Sequence, residues 1–228
     1  MIDRFTLKII MIIFMLMDHI AQFIPGAPIW FHYIGRVVAP IFFYLLVEGF
    51  VYTRSKKEYF KRLLYAGLIM LVGNYILTQF FYSGQSIINN IFLSMACSVG
   101  FLTYYEKFKE NRTLENRLKC ILFIGLSMFT EASFMGILLS LIFYSYRKDK
   151  KALYIAYSCV CISMLLVSYL VTRNFQSIMD NYQWMMIGSL LFIWLYNGKK
   201  GRDLRWLFYV FYPAHVWILF IIRWYILK

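Results

Sequence analysis

Residues Phe5–Phe23 read FTLKIIMIIFMLMDHIAQF. The stretch is apolar apart from Thr6 and Lys8, and then closes on an acid and an imidazole side by side, Asp18-His19. A run of roughly 17–25 apolar residues is what a helix needs to cross a bilayer. The composition agrees: of 228 residues 61% are hydrophobic, 21% aromatic and 15% charged, with a mean hydropathy of +0.62. A water-soluble domain carries about 45–50% apolar residues, so the solvent this chain is built for is lipid. Arg4 and Lys8 precede the apolar run as in a secretory signal. No small-x-small cleavage pattern follows, and Asp18-His19 interrupts its tail, so the segment reads as a retained first membrane helix.

Working outward, further apolar segments lie near 30–53, 62–82, 86–105, 118–130, 132–146, 152–171, 184–196 and 206–225. The chain is therefore predicted to be an all-α polytopic bundle of about nine spans, with some short or tilted. It is predicted as a single domain over residues 1–228, without repeats or low-complexity tracts. No period-two alternation of the kind a membrane barrel requires is present. The net charge of +13 would point to nucleic acid in a soluble protein. Here the cations cluster between apolar segments: Arg54–Arg62, Lys107–Lys119, Arg147–Lys151 and Lys199–Arg205, with Arg4 and Lys8 at the N-terminus. Only Arg36, Arg173, Arg223 and Lys228 fall elsewhere. Alternating spans from a cytoplasmic N-terminus place all these clusters on one side, as positively charged cytoplasmic loops require. The expectation is a multi-pass protein of the cell membrane with its C-terminus outside, needing the lipid bilayer and no nucleic acid as partner. Cys97, Cys120, Cys159 and Cys161 lack metal-ligand or disulfide-framework spacing. The three histidines sit on separate segments, so no metal is expected.

Ionisable groups inside spans are functional by default, because each costs about 2.5–3.5 kcal/mol to insert. Asp18, His19, Arg36, Glu48, Glu131 and His215 are such groups here. Asp18 and His19 point about 100° apart on a helix, so they serve different partners and do not form a dyad. Arg36, toward the same end of the next span, is the expected partner of Asp18. Histidine is the side chain best placed to take and return a proton near neutral pH. Pro40 cannot donate to the Arg36 carbonyl, which sets a kink in the second span, and Glu48 lies about 18 Å further along it. Pro213 likewise frees the Tyr209 carbonyl just before His215. His32 falls in the loop between the first two spans and reads as a solvated side chain. The cluster Arg54, Lys56, Lys57, Lys61 and Arg62 reads first as an anchor on anionic lipid, which needs no fixed geometry, and only second as a cradle for phosphates.

Taken in order, Met17-Asp18-His19-Ile20, IGRVVAPIFFYLLVEGF with its basic tail, Asn90-Ile91-Phe92, Gly136-Ile137-Leu138, Leu195–Gly201 and Phe208–His215 resemble the TraX family of membrane proteins, named for the acetylase that blocks the N-terminus of conjugative pilin. Where that family has Asp-Tyr-Gly before its Gly-x-Leu motif, this chain has Glu131-Ala132-Ser133: the acid is kept and the local turn is changed. A looser likeness extends to transmembrane acyltransferases. The resemblance implies a membrane acetyltransferase that moves an acetyl group from cytoplasmic acetyl-CoA to an amine or hydroxyl of an exported peptide, pilin or glycan. It implies catalytic roles for His19, Asp18, Arg36, His215 and Glu48. Arg54, Lys61, Arg62, Lys199 and Arg202 would hold the CoA phosphates, and Glu131, Asn90 and Tyr212 would position substrate. A small transporter and a non-catalytic peptide-binding membrane protein remain alternatives.

Overall fold

The computed structural model describes residues 1–82, 84–173, 181–202 and 205–228; the side chains of Thr172 and Arg205 are outside that description. Within the described residues the chain is helical, with no β-strand; the backbone pairing of Ile2 with Tyr196 is an isolated bridge. Five helices or helix pairs are long and apolar enough to cross a membrane: Arg4–Phe23, Trp30–Tyr52, Lys56–Phe80, Lys150–Val171 and Trp206–Leu227. The protein is a multi-pass membrane protein. Its helices fall into two compact units, residues 1–42 with 148–228, and residues 43–147.

The first unit begins with α1 (Arg4–Phe23), whose amino end is capped by the Asp3 carboxylate accepting from the Thr6 amide at 2.8 Å. That hydrogen bond holds the Asp3 carboxyl below its ordinary range, as bonding to the charged form must. Leu7, Met11, Met15, His19 and Phe23 recur every fourth residue and form the buried stripe of α1. His19 thus belongs to the core face, and Asp18 is turned off it. The helix ends at Ile20–Phe23 where Pro25-Gly26 follows, Gly26 taking a φ of 81° that suits only glycine well. Arg223 donates to the Phe23 carbonyl at 3.2 Å, occupying one of the terminal carbonyls of α1.

The predicted second span is two helices. A short α2 (Trp30–Gly35) stops at Arg36-Val37, and α3 (Val38–Tyr52) restarts with Pro40 in its first turn, where a missing N–H is tolerated. The break therefore precedes the proline. The unit continues with α8 (Lys150–Thr172), a 3-10 helix (Tyr182–Gly188), α9 (Ser189–Leu195) and α10 (Arg205–Leu227). In α10, Phe208, Tyr212, His215, Val216, Leu219 and Phe220 form the buried face, and it packs on α1. The amino terminus is strapped to the segment after α9: Ile2 N–H donates to the Leu195 carbonyl, Asn197 N–H to the Ile2 carbonyl and Arg4 N–H to the Lys199 carbonyl, all within 2.9 Å.

In the second unit α5 (Ile91–Glu110) is the central helix, flanked by α4 (Lys56–Phe80), α6 (Leu114–Ser127) and α7 (Ser133–Ser145). The predicted fourth span starts five residues late, because Asn89 and Asn90 are taken up in hydrogen bonds to α4 instead: Asn74 Nδ2 donates to the Asn89 carbonyl and Asn90 Nδ2 to the Gly67 carbonyl, both at 2.8 Å. Only Leu63, Gly67, Met70 and Asn74 of α4 are buried. Much of its remaining apolar surface, including Leu68, Ile69 and Val72, is exposed in the isolated chain, as a lipid-facing helix requires. At the other end of the unit Glu106 accepts from Tyr144 OH at 2.6 Å and pairs with Lys56.

Candidate functional site

The buried stripe of α1 delivers His19 against α10. His19 Nδ1 lies 2.7 Å from His215 Nε2, and His215 Nδ1 lies 2.6 Å from the Phe211 carbonyl. The two rings are 5% and 6% exposed, so these hydrogen bonds are sheltered from water. Their order fixes the tautomers. A carbonyl only accepts, so His215 Nδ1 carries the proton. His215 Nε2 in the neutral ring is then an acceptor, so His19 Nδ1 donates to it. The lone pair of neutral His19 is thereby placed on Nε2. Tyr212 and Phe23 flank the His19 ring at centroid distances of 5.9 and 6.4 Å. Phe211 stacks on His215 at 4.6 Å.

One residue earlier, Asp18 faces α2. Arg36 Nη2 donates to both carboxylate oxygens, at 3.0 and 2.8 Å. The expected separation of Asp18 and His19 onto different partners, and the pairing of Asp18 with Arg36, are both present in the geometry. The reading of His32 is corrected. It is not a solvated loop side chain: His32 Nδ1 lies 2.6 Å from Asp18 Oδ1, and its ring stacks on Tyr182 at 5.3 Å with the planes 1° apart. The reason is local. His32 and Arg36 are four residues apart on one turn of helix and face the same way, so the acid that meets one meets both. The Arg36 guanidinium also lies over the Tyr182 ring, 5.2 Å from its centroid. Gly35 lets this happen, because a Cβ there would run into the Asp18 side chain.

The remaining predicted site residues lie in other places. Glu131 and Asn90 meet in the second unit, where the Asn90 amide donates to the Glu131 carboxylate. Ser94 Oγ joins the same loop, donating to Thr130 Oγ1 at 3.0 Å and accepting from the Ala132 amide at 2.9 Å. Ser133 follows with a φ of 47°, a left-handed conformation at the place where the TraX motif carries glycine. Glu48 lies half-buried in α3, in the residues of the second unit. Of the proposed phosphate ligands, Arg54, Lys61 and Arg62 belong to the second unit and Lys199 and Arg202 to the first. Lys61 pairs with Glu58 at 3.1 Å on the same helix, and Arg62 lies over the Tyr59 ring at 5.7 Å. Lys199 and Arg202 are exposed beside the strap that holds the amino terminus. Arg205, the last cation of that basic segment, has its side chain outside the described residues. Among the described residues no group of three His, Cys, Asp or Glu side chains is arranged to hold a metal.

The comparisons with known proteins agree with one another. The sequence profile of the TraX protein family matches residues 3–223. The chain is similar to the protein of Dichelobacter nodosus named "Probable fimbrial assembly protein FimC, serogroup H1", with 30% identity over 240 aligned positions covering 95% of this chain and 94% of that one. No solved structure matches.

Proposed function

Because the chain belongs to the TraX family, we propose that it is a membrane acetyltransferase that carries an acetyl group from acetyl-CoA to an amine or hydroxyl of an exported or membrane-associated acceptor. The observation that carries this reading is the buried His19–His215 pair, with its one-way order of hydrogen bonds. An imidazole whose Nδ1 is committed to donation offers Nε2 as a base, and a positioned base of this kind contributes roughly 10²–10⁴-fold to acyl transfer. His19 Nε2 takes a proton from the acceptor as its nucleophilic atom attacks the thioester carbonyl, then returns it to the departing sulfur. His215 is a positioning residue: it fixes the His19 tautomer and accepts from Nδ1–H while His19 is charged. Asp18 is spoken for by Arg36 and His32 and does not orient His19 in this scheme. The guanidinium of Arg36 supplies positive charge beside His32, suited to steady a developing oxyanion.

The FimC relative is named for fimbrial assembly, which favours a pilin or similar exported peptide as the acceptor. By charge, the phosphates of CoA suit either the second unit's Arg54, Arg62 and half-buried Lys61 or the first unit's exposed Lys199 and Arg202, and the position of each group in a basic segment suits a cytoplasmic donor. In this reading the N-terminus is cytoplasmic and the C-terminus outside. The test is mass spectrometry of the host's exported peptides and glycans with and without the gene. The expected result is one species lighter by an acetyl group in its absence; unchanged masses throughout would remove the proposal.

A further inference from the structure

A third imidazole, His32, meets Asp18, the residue before His19, and neither the composition nor the family match assigns it a role. Asp18 and His19 are consecutive on α1, so the groups they hold share one end of that helix. The buried His19–His215 pair is almost closed off from the protein surface. The His32–Asp18 pair reaches it: the two side chains are 20% and 17% exposed in the isolated chain. A carboxylate can only accept from His32 Nδ1 at 2.6 Å, so Nδ1 carries the proton and the lone pair of the neutral ring sits on Nε2. An acid fixing an imidazole in this tautomer is the arrangement that readies histidine as a base. The surroundings hold the ring still. Tyr182 of the 3-10 helix lies flat against it, Tyr33 flanks Tyr182 at 5.7 Å, and Arg36 is locked to Asp18 by two hydrogen bonds. Among the described residues these, with His19 on α1, are the titratable and charged groups placed around it. Arg36 and Asp18 offset each other, so the cluster presents no net positive charge against an incoming cation.

An acyl acceptor that is an amine arrives as an ammonium and must lose two protons, one before it can attack and one as the amide forms. Acetyl-CoA accounts for only one, which ends on the sulfur. We propose that His32, held by Asp18, takes the first of these protons and returns it to water. The ammonium gives a proton to His32 Nε2. The freed nitrogen lone pair then attacks the thioester carbonyl, the C–N bond forms and the C–S bond breaks. His19 takes the second proton and delivers it to the thiolate. The imidazolium of His32 loses its proton to solvent, so each turnover yields amide, CoA thiol and one proton. This rests on the acetyltransferase reading and adds to it a division of labour between a buried base and a water-accessible one.

The test uses the full chain in membranes with acetyl-CoA and a peptide bearing a free amino terminus. His32→Asn keeps an N–H donor for Asp18 but cannot take a proton, and it is compared with wild type at equal abundance. An α-amine has a pKa of about 8, so only a few per cent is neutral near pH 6.5 and nearly all near pH 9. The expected result is a loss in kcat/KM of about tenfold at pH 6.5 that shrinks to within about twofold at pH 9. An aminooxy peptide, neutral at both pH values, should be acetylated equally well by both proteins. An equal loss at both pH values and with both peptides would assign His32 a packing role and overturn the proposal, as would no loss at all. A wild-type protein that acetylates neither peptide would instead overturn the acetyltransferase reading itself.

Discussion

His19 Nδ1 and His215 Nε2, 196 residues apart in the chain, lie 2.7 Å from each other. The second ring is anchored by a hydrogen bond to the Phe211 carbonyl at 2.6 Å. His215→Ala removes that anchor and leaves the proposed base, His19, in place. We expect kcat to fall by about tenfold or more with KM for acetyl-CoA little changed, since tautomer control acts on the proton transfer and not on donor binding. Steady-state kinetics in membranes read this directly; a rise in KM at constant kcat would contradict it.

The Asp18–Arg36 pair makes a prediction about stability. The two side chains are 17% and 23% exposed, so breaking the pair from one side leaves a charge that is poorly solvated. Arg36→Met should destabilise the protein by about 2 kcal/mol, less than the roughly 3–5 kcal/mol of a fully buried pair. Asp18→Asn combined with Arg36→Met should recover part of that loss. Thermal unfolding in detergent checks both, and additive losses in the double variant would show the pair to be uncoupled.

Gly35 is set against Asp18 closely enough that a Cβ would strike its side chain. Gly35→Ala should therefore displace Asp18 from both His32 and Arg36, and lower activity more than stability. The check is acetyl transfer measured beside thermal unfolding on one preparation.

Ser133 holds a φ of 47° at the entry to α7, a conformation that costs an L-residue on the order of 1 kcal/mol. Ser133→Gly should relieve it and raise the melting temperature by a few degrees, about 1 kcal/mol of stability at most. A lower melting temperature would mean that the serine side chain contributes more than its backbone strain removes.

A cradle for CoA predicts that Arg54→Ala and Arg62→Ala raise KM for acetyl-CoA with kcat preserved, because lost phosphate contacts weaken donor binding uniformly. Unchanged KM values in both would return these side chains to a lipid-anchoring role.

Much of the geometry around His19 and Asp18 was legible in the sequence alone. The four-residue rhythm of Leu7, Met11, Met15, His19 and Phe23 already puts His19 on the core face of α1, and the 100° step to Asp18 already separates their partners. The helical class followed from composition, and the chain does form a helix in every predicted apolar segment. What sequence spacing missed depended on the third dimension. His215 was singled out, but nothing local names His19 as its partner across most of the chain. His32 was misread as a solvated loop side chain because nothing in its own neighbourhood shows the Asp18 carboxylate or the Tyr182 ring that meet it. The break at Arg36-Val37 makes a separate α2, whose single turn points His32 and Arg36 at one carboxylate. Tyr182, which completes that cluster, carries no signal in its own neighbourhood. Within the basic cluster, Lys56 is drawn aside by Glu106, a pairing between α4 and α5 that charge counting does not show.

In the proposed reaction, acetyl transfer runs through His19. Membranes carrying wild type and His19→Ala at equal abundance, given acetyl-CoA and an amine-terminated peptide, test it most directly. The account predicts acetylated peptide with wild type and a rate lower by about 100-fold or more with His19→Ala. Transfer by His19→Ala at the wild-type rate would contradict it.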